Sequence, residues 1–123
     1  MTRVLLVAAG GALGSVARYA MMLLVATFWK REFPLATFLI NISGSFALGF
    51  LATWGMERAA IDPLWRLLIT TGFLGAYTTF STFEYETQRL AEGGAVGWAL
   101  LNVVASVAVG FAAVQLGVML ARR

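Results

Sequence analysis

The chain has 123 residues, 60% of them hydrophobic and 12% charged, with a formal net charge of +3 and a mean hydropathy of +0.83. An ordinary soluble domain is about 45–50% apolar and about 25% charged, so this chain lacks the polar residues to cover a core in water. The same figures exclude a disordered chain, which is apolar-poor and charge-rich. It contains no Cys and no His, which removes disulfides, thiolate metal sites and the usual imidazole acid–base and zinc chemistry. What remains is an integral membrane protein.

In chain order, Val4–Trp29 is apolar except for Arg18, Leu35–Trp54 is uncharged over 20 residues, Leu67–Phe83 over 17 and Ala95–Ala121 over 27. A spanning helix needs about 20 mostly apolar residues. The chain is therefore expected to fold as one all-α transmembrane domain, with four helices over residues 4–29, 35–54, 67–91 and 95–121. At about 1.5 Å per residue the last is about 40 Å long, longer than the hydrocarbon core, and should tilt or protrude. The runs are continuous and do not alternate with period two, which speaks against a β-barrel.

Lys30-Arg31-Glu32-Phe33-Pro34 forms the first charged link, with a Pro suited to the first turn of the next helix. The second link, Gly55–Arg66, carries Glu57, Arg58, Asp62, Pro63 and Arg66; the third, Gln88–Gly94, carries Arg89, Glu92 and a Gly pair. Trp29, Trp54, Trp65 and Trp98 fall near the predicted span ends, where indole rings favour the interface. The apolar run resumes after Arg18 and continues to Trp29, which is wrong for a cleaved signal peptide.

Four crossings place Arg3, Arg58, Arg66, Arg122 and Arg123 on one side and Lys30, Arg31 and Arg89 on the other, five cations against three. That is a weak bias for a rule that reads Lys and Arg excess. Two readings stay open: a fixed orientation with cytoplasmic termini, or a chain that inserts both ways and pairs as an antiparallel homodimer. The basic balance suits lipid head groups. No basic patch interleaved with aromatics marks a nucleic-acid partner.

The third segment is the least lipid-like. Thr70 to Glu86 reads TTGFLGAYTTFSTFEYE, with six Ser or Thr residues and two Gly. Gly costs about 1 kcal/mol relative to Ala in a helix, and freed backbone carbonyls are tolerated in a bilayer only where protein or a polar cavity satisfies them. A break around residues 75–78 would expose such carbonyls, and converging carbonyls suit a desolvated alkali cation. The other reading is close packing through small residues, with hydroxyls bonded back to their own helix. Beyond the break, helical projection places Thr82, Glu86, Thr79, Phe83 and Phe80 on one side. Phenyl rings carry a positive edge that can face an anion, although a Phe pair at this spacing also describes ordinary packing.

In the second span, Asn41 must find hydrogen bonds, either as interhelical glue or as a pore-lining donor. Small-residue stripes (Gly10, Gly11 and Gly14; Gly44, Ser45 and Gly49) suit close helix approach. Asn102, Ser106 and Gly110, four apart, give the last helix one polar-to-small face. Arg18, a lone charge inside a span, reads either as a snorkelling side chain or as an anion-attracting residue of an aqueous vestibule; the lack of an acid in the same span favours the latter.

Gly10–Tyr19 (GGALGSVARY), the segment around Asn41 and above all Thr71–Glu86 (TGFLGAYTTFSTFEYE) resemble the CrcB/Fluc fluoride channel family across the whole four-span plan. The resemblance implies a dual-topology antiparallel homodimer with two fluoride pores in the plasma membrane of a prokaryote. It implies a passive channel, not an enzyme, that lets fluoride leave the cell and so relieves its toxicity. Phe80 and Phe83 would be ring-edge anion sites, Asn41 a pore donor, and Thr79, Ser81 and Thr82 part of a hydroxyl-rich core. Ser106 would fit a polar pore wall, Glu86 would lie along the anion path and Arg18 near a vestibule. Backbone carbonyls of Gly75 and Thr78 would bind a structural sodium ion shared between subunits. Two positions depart from the family pattern: Glu84 stands where many relatives carry a small hydroxyl, and Gly110 where a hydroxyl would extend the polar wall.

Such a part list suits fluoride, which is small and strongly hydrated: a pore must replace its water with close donors yet release it. A small proton-coupled multidrug exporter is the main competitor, but it needs an acid in the first span, where this chain has Arg18. A non-conducting membrane assembly subunit, with its polar residues serving only as glue, is the second.

Overall fold

The computed structural model describes residues 1–57 and 61–123. Arg58, one of the cations counted for topology, lies outside the described residues. Among these the regular structure is helical throughout: α1 (Thr2–Phe28), α2 (Leu35–Glu57), α3 (Pro63–Arg66), a π-helical stretch (Leu67–Leu74), α4 (Gly75–Tyr77), α5 (Phe80–Glu92) and α6 (Val96–Ala121). Three of these, α1, α2 and α6, are long and apolar enough to cross a membrane. Their outer surfaces are apolar: Leu5, Val16, Leu24, Val104 and Phe111 are each more than half exposed. A hydrophobic chain that leaves such residues outside is matched to lipid, not water.

Between α2 and α6 the chain is not one continuous helix, in line with the break expected around residues 75–78. Asp62 caps α3 by accepting a hydrogen bond from the Leu64 N–H at 2.8 Å, with Pro63 at the first helical position, where its missing N–H is harmless. The helix then widens to π geometry from Leu67, with the Gly75 N–H reaching back to the Thr70 carbonyl. Wide turns of this kind are frequent at functional sites.

Two parallel pairings hold the bundle. In the first, α1 lies against the π-helical stretch so closely that the backbones touch. A Cβ on Gly10 would fall on the Leu68 carbonyl oxygen and 2.9 Å from the Phe73 nitrogen, and one on Gly14 would fall on the Phe73 carbonyl. In the second, α2 and α6 run side by side, with Gly49 against Val114 and Gly117 against Phe46 and Phe50. Small residues permit this approach, which replaces the hydrophobic driving force that lipid does not provide.

The helix ends are tied as interfacial segments. After α1, the Trp29 indole N–H donates to the Phe33 carbonyl at 2.7 Å, Lys30 donates to the Ala26 carbonyl, and the Arg31 guanidinium lies 5.7 Å from the Trp29 ring centre. Pro34 sits one residue before α2, its carbonyl accepting from the Phe38 N–H. Phe33 packs on Trp98 at 5.9 Å, joining this link to the start of α6. At the opposite end Arg122 grips Glu57 through two nitrogens, the shortest contact 2.7 Å.

The packing gives a contrast to measure. Gly10→Ala drives a methyl into rigid backbone and should lower the thermal midpoint of the detergent-solubilised protein, at an overpacking cost of about 1–3 kcal/mol. Gly97→Ala adds a Cβ that meets nothing within 4 Å and should leave the midpoint unchanged or raised.

Candidate functional site

The interruption falls at Thr78 and Thr79, which are both extended (φ −76°, ψ 156° and φ −150°, ψ 112°), whereas Gly75, Ala76 and Tyr77 are helical. It is shorter and slightly later than the expected stretch 75–78, because two threonines set its edges. Thr78 closes the incoming helix by turning both its N–H (3.1 Å) and its hydroxyl (3.0 Å) to the Leu74 carbonyl. Thr79 opens α5 as its N-cap: its Oγ1 accepts from the Thr82 N–H at 3.3 Å and donates to the Thr82 hydroxyl at 3.0 Å, a role for which Thr is well suited.

Asn41, from α2, meets the break directly. Its Nδ2 donates to the Thr79 carbonyl at 3.0 Å and its Oδ1 accepts from the Thr79 N–H at 2.8 Å. One side chain thus satisfies both backbone groups of a residue that has left the helix. The glue role is occupied in this structure, and one amide hydrogen of Nδ2 is left over.

These bonds have a second effect. In an unbroken helix the Thr79 N–H would go to the Gly75 carbonyl and the Thr82 N–H to the Thr78 carbonyl. Here they go to Asn41 and to Thr79 Oγ1, and no backbone N–H among the described residues reaches the carbonyls of Ala76 or Tyr77, so all four carbonyls of residues 75–78 lose their helical donors.

A cavity of about 320 Å³ opens beside the break, with Asn41, Gly75, Thr78, Phe80, Phe83 and Ser106 among its lining. No formal charge lines it. Phe80 is 73% exposed and Phe83 7%, and their rings stand 5.7 Å apart at 42°. One ring is held by the fold and the other projects from it. Thr79 also lines this cavity, whereas Ser81 and Thr82 do not.

Glu86 lines a separate cavity of about 500 Å³ at the Trp29–Pro34 end, with Arg31, Glu32 and Arg89. Arg18 is half-buried on α1, lines neither cavity, and has no ion pair among the described residues. Glu84 is exposed and lies outside both cavities.

Residues 5–118 match the family described as CrcB-like protein, Camphor Resistance (CrcB). The chain belongs to the CrcB family. It is 45% identical over 119 residues to the fluoride-specific ion channel FluC of Solibacter usitatus, a match covering 97% of this chain and 98% of the relative. It is 47% identical over 122 residues to the fluoride-specific ion channel FluC of Chlorobaculum tepidum, covering 99% and 96%. With the protein of the same name from Acidobacterium capsulatum the identity is 47% over 117 residues, covering 95% and 94%.

Three polar residues of this CrcB-family chain went unread or half-read in its sequence. Thr37 is buried and faces Glu86; Thr37 Oγ1 and Glu86 Oε2 are both buried without a hydrogen bond among the described residues. A lone Thr near the start of an apolar helix carries no signal. Thr87 and Asn102 form a bonded ladder between α5 and α6, Asn102 Nδ2 donating to Thr87 Oγ1 at 2.8 Å. The four-residue spacing of Asn102 and Ser106 pointed to a polar face but not to its partner on α5.

Asn41 generates the sharpest prediction at this site. Asn41→Ala leaves the Thr79 N–H and carbonyl unpaired at about 1–3 kcal/mol each, so the variant should lose most of its folded fraction in detergent on gel filtration, whereas Ser81→Ala should elute like the parent.

Proposed function

We propose that this protein is a fluoride-selective passive channel that lets fluoride leave a prokaryotic cell across the plasma membrane. The observation that carries the reading is a cavity beside a broken membrane segment whose walls hold only neutral groups, in a chain related over nearly its full length to proteins named fluoride-specific ion channels. Fluoride sheds its water only against close donors, and a fixed cation would hold it too long to conduct. An amide hydrogen of Asn41, the hydroxyls of Thr79 and Ser106 and the ring edges of Phe80 and Phe83 provide contacts of moderate strength. Ser81 and Thr82 extend the hydroxyl-rich surface along α5, Glu86 lies further along the anion path, and Arg18 raises anion concentration near the mouth. Fluoride enters cells as HF and ionises inside, so a passive leak for the anion relieves its toxicity.

The third segment is the fourth crossing. The working unit is an antiparallel homodimer of chains inserted in both orientations, supported by the exposed Phe80 ring, the open cavity and the near balance of cations at the two ends. A structural sodium ion fits the stripped carbonyls of Gly75 and Thr78, since neutral oxygens suit a hard monovalent cation. When bound, it supplies positive charge at the dimer centre that offsets the anion's field.

Reconstituted liposomes loaded with fluoride test the reading. With potassium flux shunted, a fluoride electrode should record rapid electrogenic release, and Phe80→Ile or Phe83→Ile should suppress it by at least tenfold while the assembly persists. Flux that follows a proton gradient would indicate an exporter instead, and no flux a non-conducting subunit. The orientation has its own test. The chain has no Cys, so Thr2→Cys provides a single thiol, and an impermeant reagent applied to intact cells should label about half of the molecules; all or none would exclude dual insertion.

A further inference from the structure

Asn102 is 1% exposed, among the most deeply buried polar residues described, and stands behind the cavity wall formed by Ser106. Its bonds form a chain with a fixed direction. The Phe83 backbone carbonyl can only accept, so the Thr87 hydroxyl donates to it, at 2.8 Å. Thr87 Oγ1 is then the acceptor for Asn102 Nδ2, at 2.8 Å. That sets the rotation of the amide and turns Oδ1 toward Ser106. A carbonyl oxygen cannot donate, so the Ser106 hydroxyl hydrogen points to Asn102, at 3.3 Å. A serine has one O–H, and at rest this one is turned away from the cavity that Ser106 lines.

We infer that Asn102 is a positioning residue that makes Ser106 a latent anion donor: it parks the Ser106 hydrogen behind the wall and releases it when fluoride arrives. The inference rests on reading the cavity as the fluoride path. At rest Ser106 shows the cavity its lone pairs, which repel an anion. Fluoride recruits the hydrogen by rotating the hydroxyl off Oδ1. The bond to Asn102 is the longest of the three and lies beyond the usual O–H···O range, so it yields first. When fluoride moves on, Oδ1 takes the hydrogen back. The acceptor competes with the ion for one proton, which weakens binding and speeds release. Because the chain ends on the Phe83 carbonyl, the same bonds also fix Ser106 on α6 at the level of the buried ring on α5.

The test is fluoride efflux from liposomes across a range of fluoride concentrations, for the parent and for Asn102→Leu, Ser106→Ala, the double variant and Thr87→Val. Asn102→Leu keeps the volume, removes the acceptor and leaves the Thr87 hydroxyl bonded to Phe83. It should lower the half-saturating fluoride concentration about fivefold, the factor carried by one hydrogen bond of ordinary net strength, and slow maximal efflux. In the Ser106→Ala background the same substitution should change neither quantity. Thr87→Val removes the acceptor that sets the rotation of the amide, lets Oδ1 turn away from Ser106, and should lower the half-saturating concentration in the same direction as Asn102→Leu. Equal shifts from Asn102→Leu with and without Ser106 would make Asn102 a strut only and overturn the inference. Should Asn102→Leu not assemble, Asn102→Asp strengthens the acceptor and should raise the half-saturating concentration; no change would overturn it equally. A parent protein that conducts no fluoride removes the channel reading beneath it, an outcome separate from all of these.

Discussion

A polypeptide in lipid must satisfy every backbone N–H and C=O from within the protein, and the Asn41–Thr79 pairing is how this chain does so while breaking a membrane segment. The amide matches a peptide group in both polarity and spacing, so it acts as a one-residue strand partner for Thr79. Without it the third segment would have to close into a regular helix. The extended pair and the cavity beside it follow from that substitution of a side chain for a backbone partner.

Keeping the amide in register requires that α2 and the broken segment do not slide, and the glycine contacts provide this. α1 meets the π-helical stretch backbone to backbone at Gly10 and Gly14, while α2 meets α6 at Gly49 and Gly117. The broken segment is thus clamped above its interruption by α1, and below it by the Asn102–Thr87 bond from α6. The two halves are held separately, and Asn41 binds the interruption between them.

The architecture was legible where composition alone decides it. Long uncharged runs fixed α1, α2 and α6 to within a few residues, since burial in lipid leaves little choice of conformation. The third segment was harder. Its Gly and Thr content left an interruption and close small-residue packing both open, and propensity could not reveal that the first part winds as a π-helix, because a five-residue hydrogen-bond spacing leaves no mark in composition. Nor could it separate Gly75, which stays helical, from Thr78 and Thr79, whose hydroxyls make the edges. Asn41 was recognised as needing partners, and only the fold names them. Thr37 was invisible, as a single hydroxyl acquires meaning only from the Glu86 carboxylate that reaches it from another helix.

The carbonyls freed at the break belong to the main chain, and this has a consequence for how the protein can change. An oxygen at Gly75 or Thr78 is present whatever side chain the codon specifies, so point substitutions there cannot delete it. Vulnerability is displaced to the residues that divert the competing amides, Asn41 and the Thr79 hydroxyl. Genetic drift is therefore free at the oxygens themselves, within steric limits, and constrained at the side chains that divert the amides.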